Sequence, residues 1–171
     1  MKISVINDKE TLEIIYKLRY EASEIRRDLH EHYQDKRFAD TYDEAGIHFA
    51  LYKDEALLGS ARINISSNLE EITYGHLIEN YIHNLQKPFA MISRLVVAPK
   101  ARRKGYSNFL DEKRLNFLKK RNEGTAMVVT SCIFRIEKLI RLGFRLASEV
   151  EEINTFPGGK STLLYLPLDL L

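Results

Sequence analysis

Residues 93–110 combine three features that suit the binding of an anion: an apolar run, a dense basic turn and a glycine. The segment reads SRLVVAPKARRKGYSNFL. Its apolar part, 95–97, is followed by Pro99, by four basic residues within 100–104, and by Gly105. The chain then becomes amphipathic again, which predicts a helix that begins next to the glycine.

The start of a helix can hold a phosphate. Its first turn has unpaired backbone N–H groups and the positive end of the helix dipole. Gly105 has no Cβ, so an anion can approach the backbone closely, and neighbouring Arg and Lys side chains add charge-assisted contacts. This spacing predicts a diphosphate cradle. A solvated basic turn before a helix is the alternative, and the spacing alone leaves both open.

The surrounding periodicity predicts strands and helices in alternation. Apolar residues from Leu12 to Leu29 recur on one helical face, with Arg19 off that face, and Asn7 or Asp8 caps the helix. Residues 30–45 form a polar loop or a short helix, and 69–86 contain helical pieces. The predicted strands are 3–6, 47–53, 57–65, 88–97, 125–131, 144–150 and 162–166, and the remaining helices are 106–122, ended by Gly124, and a short one from 133, ended by Gly143.

The predicted order is β α β β (α) β α β α β β. Strands 47–53 and 57–65 form an antiparallel hairpin, because both alternate and 53–56 can turn. The strand, basic loop, helix and strand at the centre predict a parallel pair joined by a right-handed crossover. The fold class is therefore α/β (α+β), a single domain over 1–171 with a mixed sheet of about six or seven strands flanked by helices.

The motif Arg102-x-x-Gly105-x-Ser107 after an apolar strand resembles the acyl-CoA-binding segment of the GNAT superfamily of N-acyltransferases. Leu142-Gly143-Phe144 resembles the end of the last helix of that fold. The resemblance implies acetyl-CoA or another acyl-CoA as co-substrate, a splayed parallel pair at the sheet centre, and an acyl group that passes to a primary amine. The implied coenzyme-binding residues are Leu95, Val96 and Val97 for the pantetheine arm and Arg102, Arg103, Lys104, Gly105, Tyr106 and Ser107 for the diphosphate.

Four short motifs resemble a branch of that superfamily, the acyl-homoserine-lactone synthases and long-chain N-acyl amino acid synthases. They are Leu18-Arg19-Tyr20-Glu21, Asp40-x-x-Asp43, Gly59-x-x-Arg62 and Ser93-Arg94-Leu95. This branch often takes its acyl group from acyl carrier protein, which is acidic. The basic residues of 100–104 would dock such a carrier or serve the phosphates of CoA, and both interpretations stay open.

Amine attack on a thioester needs a proton acceptor and a donor to the carbonyl oxygen. We predict Glu79 and His48 as candidate bases and a backbone N–H near Leu95 as the oxyanion donor. Asp43 would orient the amine. Arg94 and Arg62 would bind an acceptor carboxylate, with a structural ion pair as the alternative.

The sequence departs from the usual GNAT scheme at two positions. By the resemblance, Leu139 stands where the acid tyrosine is usual, and Cys132 stands where an asparagine is usual. Another group then substitutes, or the thiolate leaves unaided, or the chain is a catalytically weak CoA-binding regulatory domain.

Composition excludes several other classes. Lys plus Arg number 26 against 24 Asp plus Glu, too balanced for a general nucleic-acid binder. One cysteine, the absence of a signal-like start and the lack of a run of ~20 apolar residues predict a cytoplasmic protein without a membrane span.

We expect no metal, because His30 and His32 cannot share a helix face. Gly159-Lys160-Ser161 lacks the first glycine of a P-loop and predicts a hairpin turn. A homodimer would fit the family.

Overall fold

The elements follow the predicted order in a computed structural model that describes residues 1–23, 35–121, 124–150 and 161–168. The strands are β1 (Lys2–Ile6), β2 (Ile47–Lys53), β3 (Ala56–Ser66), β4 (Phe89–Val97), β5 (Thr125–Thr130), β6 (Arg145–Val150) and β7 (Ser161–Pro167). Helices in the same residues are α1 (Lys9–Ala22), α2 (Gly75–Ile78), α3 (Tyr106–Arg121) and α4 (Ile133–Arg141), with 3₁₀ turns at Leu69–Glu71, Glu79–Tyr81 and Pro99–Ala101.

The seven strands form one mixed sheet in the order β1-β2-β3-β4-β5-β7-β6. β4 and β5 are parallel, with Phe89 opposite Thr125 and Met91 opposite Met127. This confirms the predicted α/β class, the number of strands and the central parallel pair. No helix within the described ranges is both long and apolar enough to cross a membrane.

The β2–β3 hairpin forms as predicted, with Lys53 opposite Ala56. Its two turn residues, Asp54 and Glu55, have φ of 49° and 64°. Two positive φ values are typical of a type I′ turn, whose twist matches that of the strands. The same register sets His48 directly opposite Arg62.

The chain divides into two compact units. The first comprises Met1–Ile63 and Arg94–Phe117, and includes a small core of Ile6, Ile15, Tyr16 and Ala50. The second comprises Asn64–Ser93 and Leu118–Leu171. Its core contains Ile72, Ile78, Ile82, Phe89, Met91, Met127 and Leu163.

Helix α1 begins as predicted but buries an unexpected residue. Asp8 is the N-cap, and its side chain accepts from the N–H of Thr11 at 2.7 Å. Arg19, which we predicted off the apolar face, is 1% exposed. That prediction was wrong because a buried carboxylate partner compensates its charge, as described below. The predicted continuation of this helix to Leu29, residues 30–34 of the polar loop and the turn at Gly159-Lys160 lie outside the described residues.

Two glycines act differently from each other. Gly143 has φ of +94° and ends α4, as predicted. Gly124 is instead required by close packing, since a Cβ there would lie 2.5 Å from the carbonyl oxygens of Gln86 and Lys87. Only a residue without a side chain fits such an approach.

Candidate active site

The basic loop joins β4 to α3 through the 3₁₀ turn Pro99–Ala101. The N–H of Ala98 donates to the carbonyl oxygen of Leu58 at 2.8 Å, which anchors the strand exit to β3. The N–H of Asn108 donates to the carbonyl oxygen of Gly105 at 2.8 Å and closes the first turn of α3. The loop is therefore held at both ends, while 102–105 between them is exposed.

Two left-handed residues shape this loop. Arg103 has φ of +63° and Gly105 has φ of +76°. Left-handed residues in a turn can direct successive N–H groups into one concavity, which is a common anion-binding arrangement. A Cβ at Gly105 would meet nothing nearer than Asn108 Nδ2 at 3.9 Å, so it would project into open space beside the helix start. The loop thus combines left-handed residues with exposed basic side chains, and its role in holding a diphosphate stays a prediction.

Arg102 has a contact that the sequence did not predict. Its Nη2 donates to the main-chain carbonyl of Ala22, the last residue of α1, at 2.6 Å. Carbonyls at a helix C-terminus lack intrahelical partners and attract cations. Arg102 therefore ties the basic loop to the end of α1.

A second group of charged side chains lies inside the first unit. We call it the charge cluster, and its members are Arg19, Asp40, Asp43, His48, Arg62 and Arg94. It includes Asp43, Arg62 and Arg94, the three residues predicted to bind the acceptor, and so the structure brings these three together. Asp40, which belongs to a branch motif but was not among the predicted site residues, connects them.

Asp43 is the buried centre of the charge cluster. Its Oδ1 accepts from Arg19 Nη1 at 2.8 Å and from Arg62 Nη1 at 2.6 Å. Its Oδ2 accepts from the N–H of Asp40 at 2.8 Å. Burial raises the pKa of Asp43, but the charges of Arg19 and Arg62 outweigh it and hold the pKa below its usual range. Asp43 is therefore ionised in the folded protein.

Asp40 links two arginines on different strands. Its Oδ1 accepts from Arg62 Nη1 at 2.5 Å, and its Oδ2 accepts from Arg94 Nε at 2.8 Å and also from Arg94 Nη2. Burial alone would raise the pKa of Asp40. The hydrogen bonds and charges of Arg62 and Arg94 instead lower it to about 2.

His48 lies in the interior, 1% exposed. Its Nε2 lies 2.9 Å from the carbonyl oxygen of Asp43, which only accepts, so Nε2 carries the proton. Its Nδ1 lies 3.2 Å from Arg19 Nη2, which only donates, so Nδ1 accepts. Burial lowers the pKa of His48 and keeps the ring neutral. Both ring nitrogens are thus engaged by the cluster; its role as a base stays a prediction.

Arg94 combines an unusual backbone conformation with a side chain that is bonded to Asp40 and packed on Phe38. Its φ is +51°, in the middle of β4. Its guanidinium carbon lies 4.3 Å from the centroid of the Phe38 ring, in addition to the bonds with Asp40. Its side chain is 20% exposed, whereas that of Arg62 is 0% exposed. Arg94 is therefore the arginine of the acceptor prediction that retains some access to solvent.

A cavity of about 560 Å³ lies beside the charge cluster in the first unit. Its lining includes Leu12, Tyr16, Arg37, Asp40, Asp43 and Gly46. This volume is within the usual range of small-molecule sites.

Glu79, Leu139 and Cys132 lie in the second unit, whereas Leu95, Val96, Val97, Tyr106 and Ser107 belong to the first. Glu79 begins the 3₁₀ turn Glu79–Tyr81 and is exposed. Leu139 is 1% exposed on α4, and Cys132, the N-cap of that helix, is exposed. No group of three or more His, Cys, Asp and Glu side chains in the described parts of the chain could hold a metal ion.

The comparison with known families decides the assignment. The model of the acetyltransferase (GNAT) family matches residues 12–144. The chain belongs to the GNAT acetyltransferase family. The match confirms the resemblance predicted from the basic loop and from Leu142-Gly143-Phe144. No curated protein matches this GNAT chain.

Solved structures share the fold at low sequence identity. The ribosomal-protein-S18-alanine N-acetyltransferase from Escherichia coli is 17% identical, with a TM-score of 0.66 over 98% of this chain and 93% of that one. FeeM, an N-acyl amino acid synthase from uncultured soil microbes, is 11% identical, with a TM-score of 0.74 over 98% and 91%. BjaI, a CoA-dependent acyl-homoserine lactone synthase, is 14% identical, with a TM-score of 0.71 over 97% and 82%.

Proposed function

We propose that this GNAT protein transfers an acyl group, with acetyl favoured, from acyl-CoA to the primary amine of a small-molecule or peptide acceptor. The observation that carries the proposal is the exposed loop of 102–105, with left-handed Arg103 and Gly105 immediately before α3. A diphosphate fits the space into which a Cβ of Gly105 would project. Tyr106 and Ser107, in the first turn of α3, contribute N–H groups to the same cradle.

The reaction that follows is direct aminolysis. The amine nitrogen attacks the thioester carbonyl, its bond to carbon forms, and the carbon–sulfur bond then breaks. The ammonium proton leaves to a base, directly or through water, and the departing thiolate takes up a proton. The N–H of Leu95 donates to the carbonyl oxygen as negative charge develops there, and Val96 and Val97 bind the pantetheine arm through their main chain.

Glu79 is the candidate base that we retain. Its carboxylate is exposed and can accept a proton through water. His48 is a poorer candidate, because its one unprotonated nitrogen already accepts from Arg19. Leu139 is apolar, so proton donation to the thiolate falls to solvent or to another group.

The acceptor is best matched by a small amine. Asp40 and Asp43 line the cavity of about 560 Å³, and the partly exposed Arg94 is bonded to Asp40. Arg62 is fully buried and paired with both carboxylates, which favours the structural ion pair over contact with an acceptor.

The donor has a second candidate. A longer acyl chain, carried by CoA or by acyl carrier protein, is supported by the shared fold of FeeM and BjaI, the latter described as CoA-dependent. The four predicted branch motifs also supply the charge cluster, since Arg19, Asp40, Asp43, Arg62 and Arg94 all belong to them. Their meeting in one cluster favours this branch over an unrelated surface charge pattern.

A donor panel tests the proposal. Thiol release would be measured with acetyl-CoA, a long-chain acyl-CoA and a long-chain acyl carrier protein, each with and without a panel of small amines. We expect amine-dependent release with acetyl-CoA. Release only from long-chain donors would transfer the proposal to the synthase-like alternative. Binding of CoA without any thiol release would leave the CoA-binding regulatory domain as the remaining alternative, for which Leu139 is the supporting observation.

A cytoplasmic location and a homodimer stay predictions.

A further inference from the structure

Arg94 has a backbone conformation that its neighbours must maintain. Among the described residues, it is the one non-glycine residue inside a strand with a positive φ, +51°. A side chain with a Cβ disfavours this region, and glycine is the residue that normally occupies left-handed positions in strands. Such outliers persist only where the surrounding structure holds them, and they concentrate at functional sites.

Two contacts hold the Arg94 side chain. Asp40 accepts from both Nε and Nη2, and the ring of Phe38 covers the guanidinium at 4.3 Å. Asp40 is itself fixed by Arg62, whose Nη1 and Nη2 lie 2.5 Å and 3.2 Å from its two oxygens. The guanidinium is thus clamped between an ionised carboxylate and an aromatic face.

The peptide that follows Arg94 carries the N–H of Leu95. A left-handed residue within a strand turns the adjacent peptide away from the ordinary ladder direction. The proposed reaction needs a donor at that point of β4, aimed at the thioester oxygen. We propose that Asp40 and Phe38 act through Arg94 as positioning residues, and that their clamp holds β4 in the conformation in which the Leu95 N–H meets the thioester carbonyl. This inference rests on the proposed function.

The geometry distinguishes this role from the acceptor-binding role predicted for Arg94. Two of its three nitrogens are engaged by Asp40, and one face of the guanidinium lies against Phe38. A carboxylate of an acceptor would have to displace Asp40 to gain the bidentate pairing that arginine offers. The positioning role requires the contacts of Arg94 with both Asp40 and Phe38, whereas binding of an acceptor carboxylate requires neither contact.

Glycine at position 94 separates the two roles. Arg94→Ala keeps the Cβ and loses the clamp, so we expect kcat to fall about tenfold or more. Arg94→Gly also loses the clamp but accepts a positive φ without strain, so we expect about ten times the kcat of Arg94→Ala. Equal kcat values in the two variants would overturn the inference, because a guanidinium that contacts the acceptor is lost equally in both.

Asp40→Asn and Phe38→Leu test the clamp from its other side. Each should lower kcat severalfold in the natural sequence, with little change in the KM for the amine. Neither should lower kcat further in the Arg94→Gly background, where no guanidinium remains to be held. Full additivity of either loss with Arg94→Gly would overturn the proposal. Thermal unfolding of every variant identifies those that fail to fold, and Phe38→Leu keeps the test valid if Asp40→Asn is one of them.

Infrared spectroscopy supplies a readout independent of turnover. The carbonyl stretch of bound acetyl-CoA labelled with ¹³C at the carbonyl shifts to lower frequency when a donor polarises it. We expect that shift in the natural protein and in Arg94→Gly, and a smaller shift in Arg94→Ala. Binding with identical stretches in all three overturns the clamp alone. Absence of acetyl-CoA binding by the natural protein would overturn the proposed function, and the clamp with it.

Discussion

The guanidinium of Arg102 donates to the main-chain carbonyl of Ala22, 2.6 Å away, and joins the basic loop to the last residue of α1. The arginine of the coenzyme-binding motif therefore has a structural partner before any coenzyme binds. Its own N–H donates to the carbonyl oxygen of Pro99 at 3.3 Å, so the proposed cradle relies on the N–H groups that follow Arg102.

Arg102→Ala should consequently affect stability more than coenzyme affinity. We expect the free energy of unfolding to fall by about 1 kcal/mol or less, because the bond is exposed to water. Arg103→Ala, one residue along, removes the same charge without that bond and is the matched control. Urea unfolding and calorimetric titration with CoA measure the two effects. A loss of affinity much larger for Arg102→Ala than for Arg103→Ala would show that the side chain itself binds the phosphates.

Gly105→Val should abolish coenzyme binding. The branched side chain would occupy the open space beside the start of α3 and would oppose the φ of +76°. We expect the Kd for CoA to rise at least 100-fold, together with a loss of about 1–2 kcal/mol of stability from the strained φ.

Gly143→Val is the control for that strain. Gly143 also has a positive φ, +94°, and a Cβ there would meet Leu166 Cδ1 at an ordinary 3.6 Å. The two variants should lose similar stability, and only Gly105→Val should lose CoA. Retention of CoA binding by Gly105→Val would remove the basis of the proposed function.

Asp40 should make the free energy of unfolding depend on pH in the acid range. The pKa of its carboxyl is about 2 in the folded chain against an ordinary 3.8, so the unfolded chain binds more protons between these values. Its contribution, about 2 kcal/mol, is present above pH 4 and is lost as the pH falls toward 2.

The Asp40→Asn variant should lack this pH-dependent contribution to stability. The stability difference between the natural protein and the variant should therefore shrink as the pH falls from 5 to 2, which urea unfolding at several pH values measures. Asp54→Asn makes the same substitution in the exposed β2–β3 turn, where Asn tolerates the positive φ. If the two variants show the same dependence on pH, the ion pairs of Asp40 do not carry the effect.

Periodicity and turn chemistry predicted most of the fold. The strand alternation of 47–53, the turn at 53–56 and the uninterrupted apolar middle of 125–131 each report a local preference that the tertiary structure keeps. Gly124 was recognised as a helix end, yet its requirement comes from the carbonyls of Gln86 and Lys87, which are distant in sequence. A close approach of this kind leaves no trace in local pattern.

The charge cluster escaped prediction for a related reason. Arg19 stands four residues after Ile15 and one after Leu18, so the helical spacing did contain a signal for its burial. Its charge argued against the core, and the compensating Asp43 lies in a loop whose path the sequence does not predict. The prediction did name Arg62 and Arg94, because an arginine inside an apolar strand needs a partner, and it named Asp43 as a group that orients the amine. It did not predict that the three meet in one cluster.

Arg114 and Asp111 provide the sharpest test of buried charge in this protein. Both lie on α3, 0% and 3% exposed, and Arg114 Nη2 donates to Asp111 Oδ1 at 2.5 Å. Arg114 Nη1 also donates to the carbonyl oxygen of Arg62 at 3.3 Å, so the helix that follows the basic loop is bonded to the strand that carries part of the charge cluster.

Arg114→Met should destabilise the chain by about 3–5 kcal/mol, because it removes the ion pair of the buried Asp111 carboxylate. Asp111→Leu together with Arg114→Met replaces both charges by apolar side chains and should recover most of that loss. Urea unfolding of the two single variants and the double variant gives the coupling energy. A double variant as unstable as the sum of the singles would mean that the ion pair itself contributes little, and that each charge is held by other contacts. Recovery of stability with a loss of acyl transfer would instead assign the pair to the alignment of α3 with Arg62, the strand residue that holds Asp40.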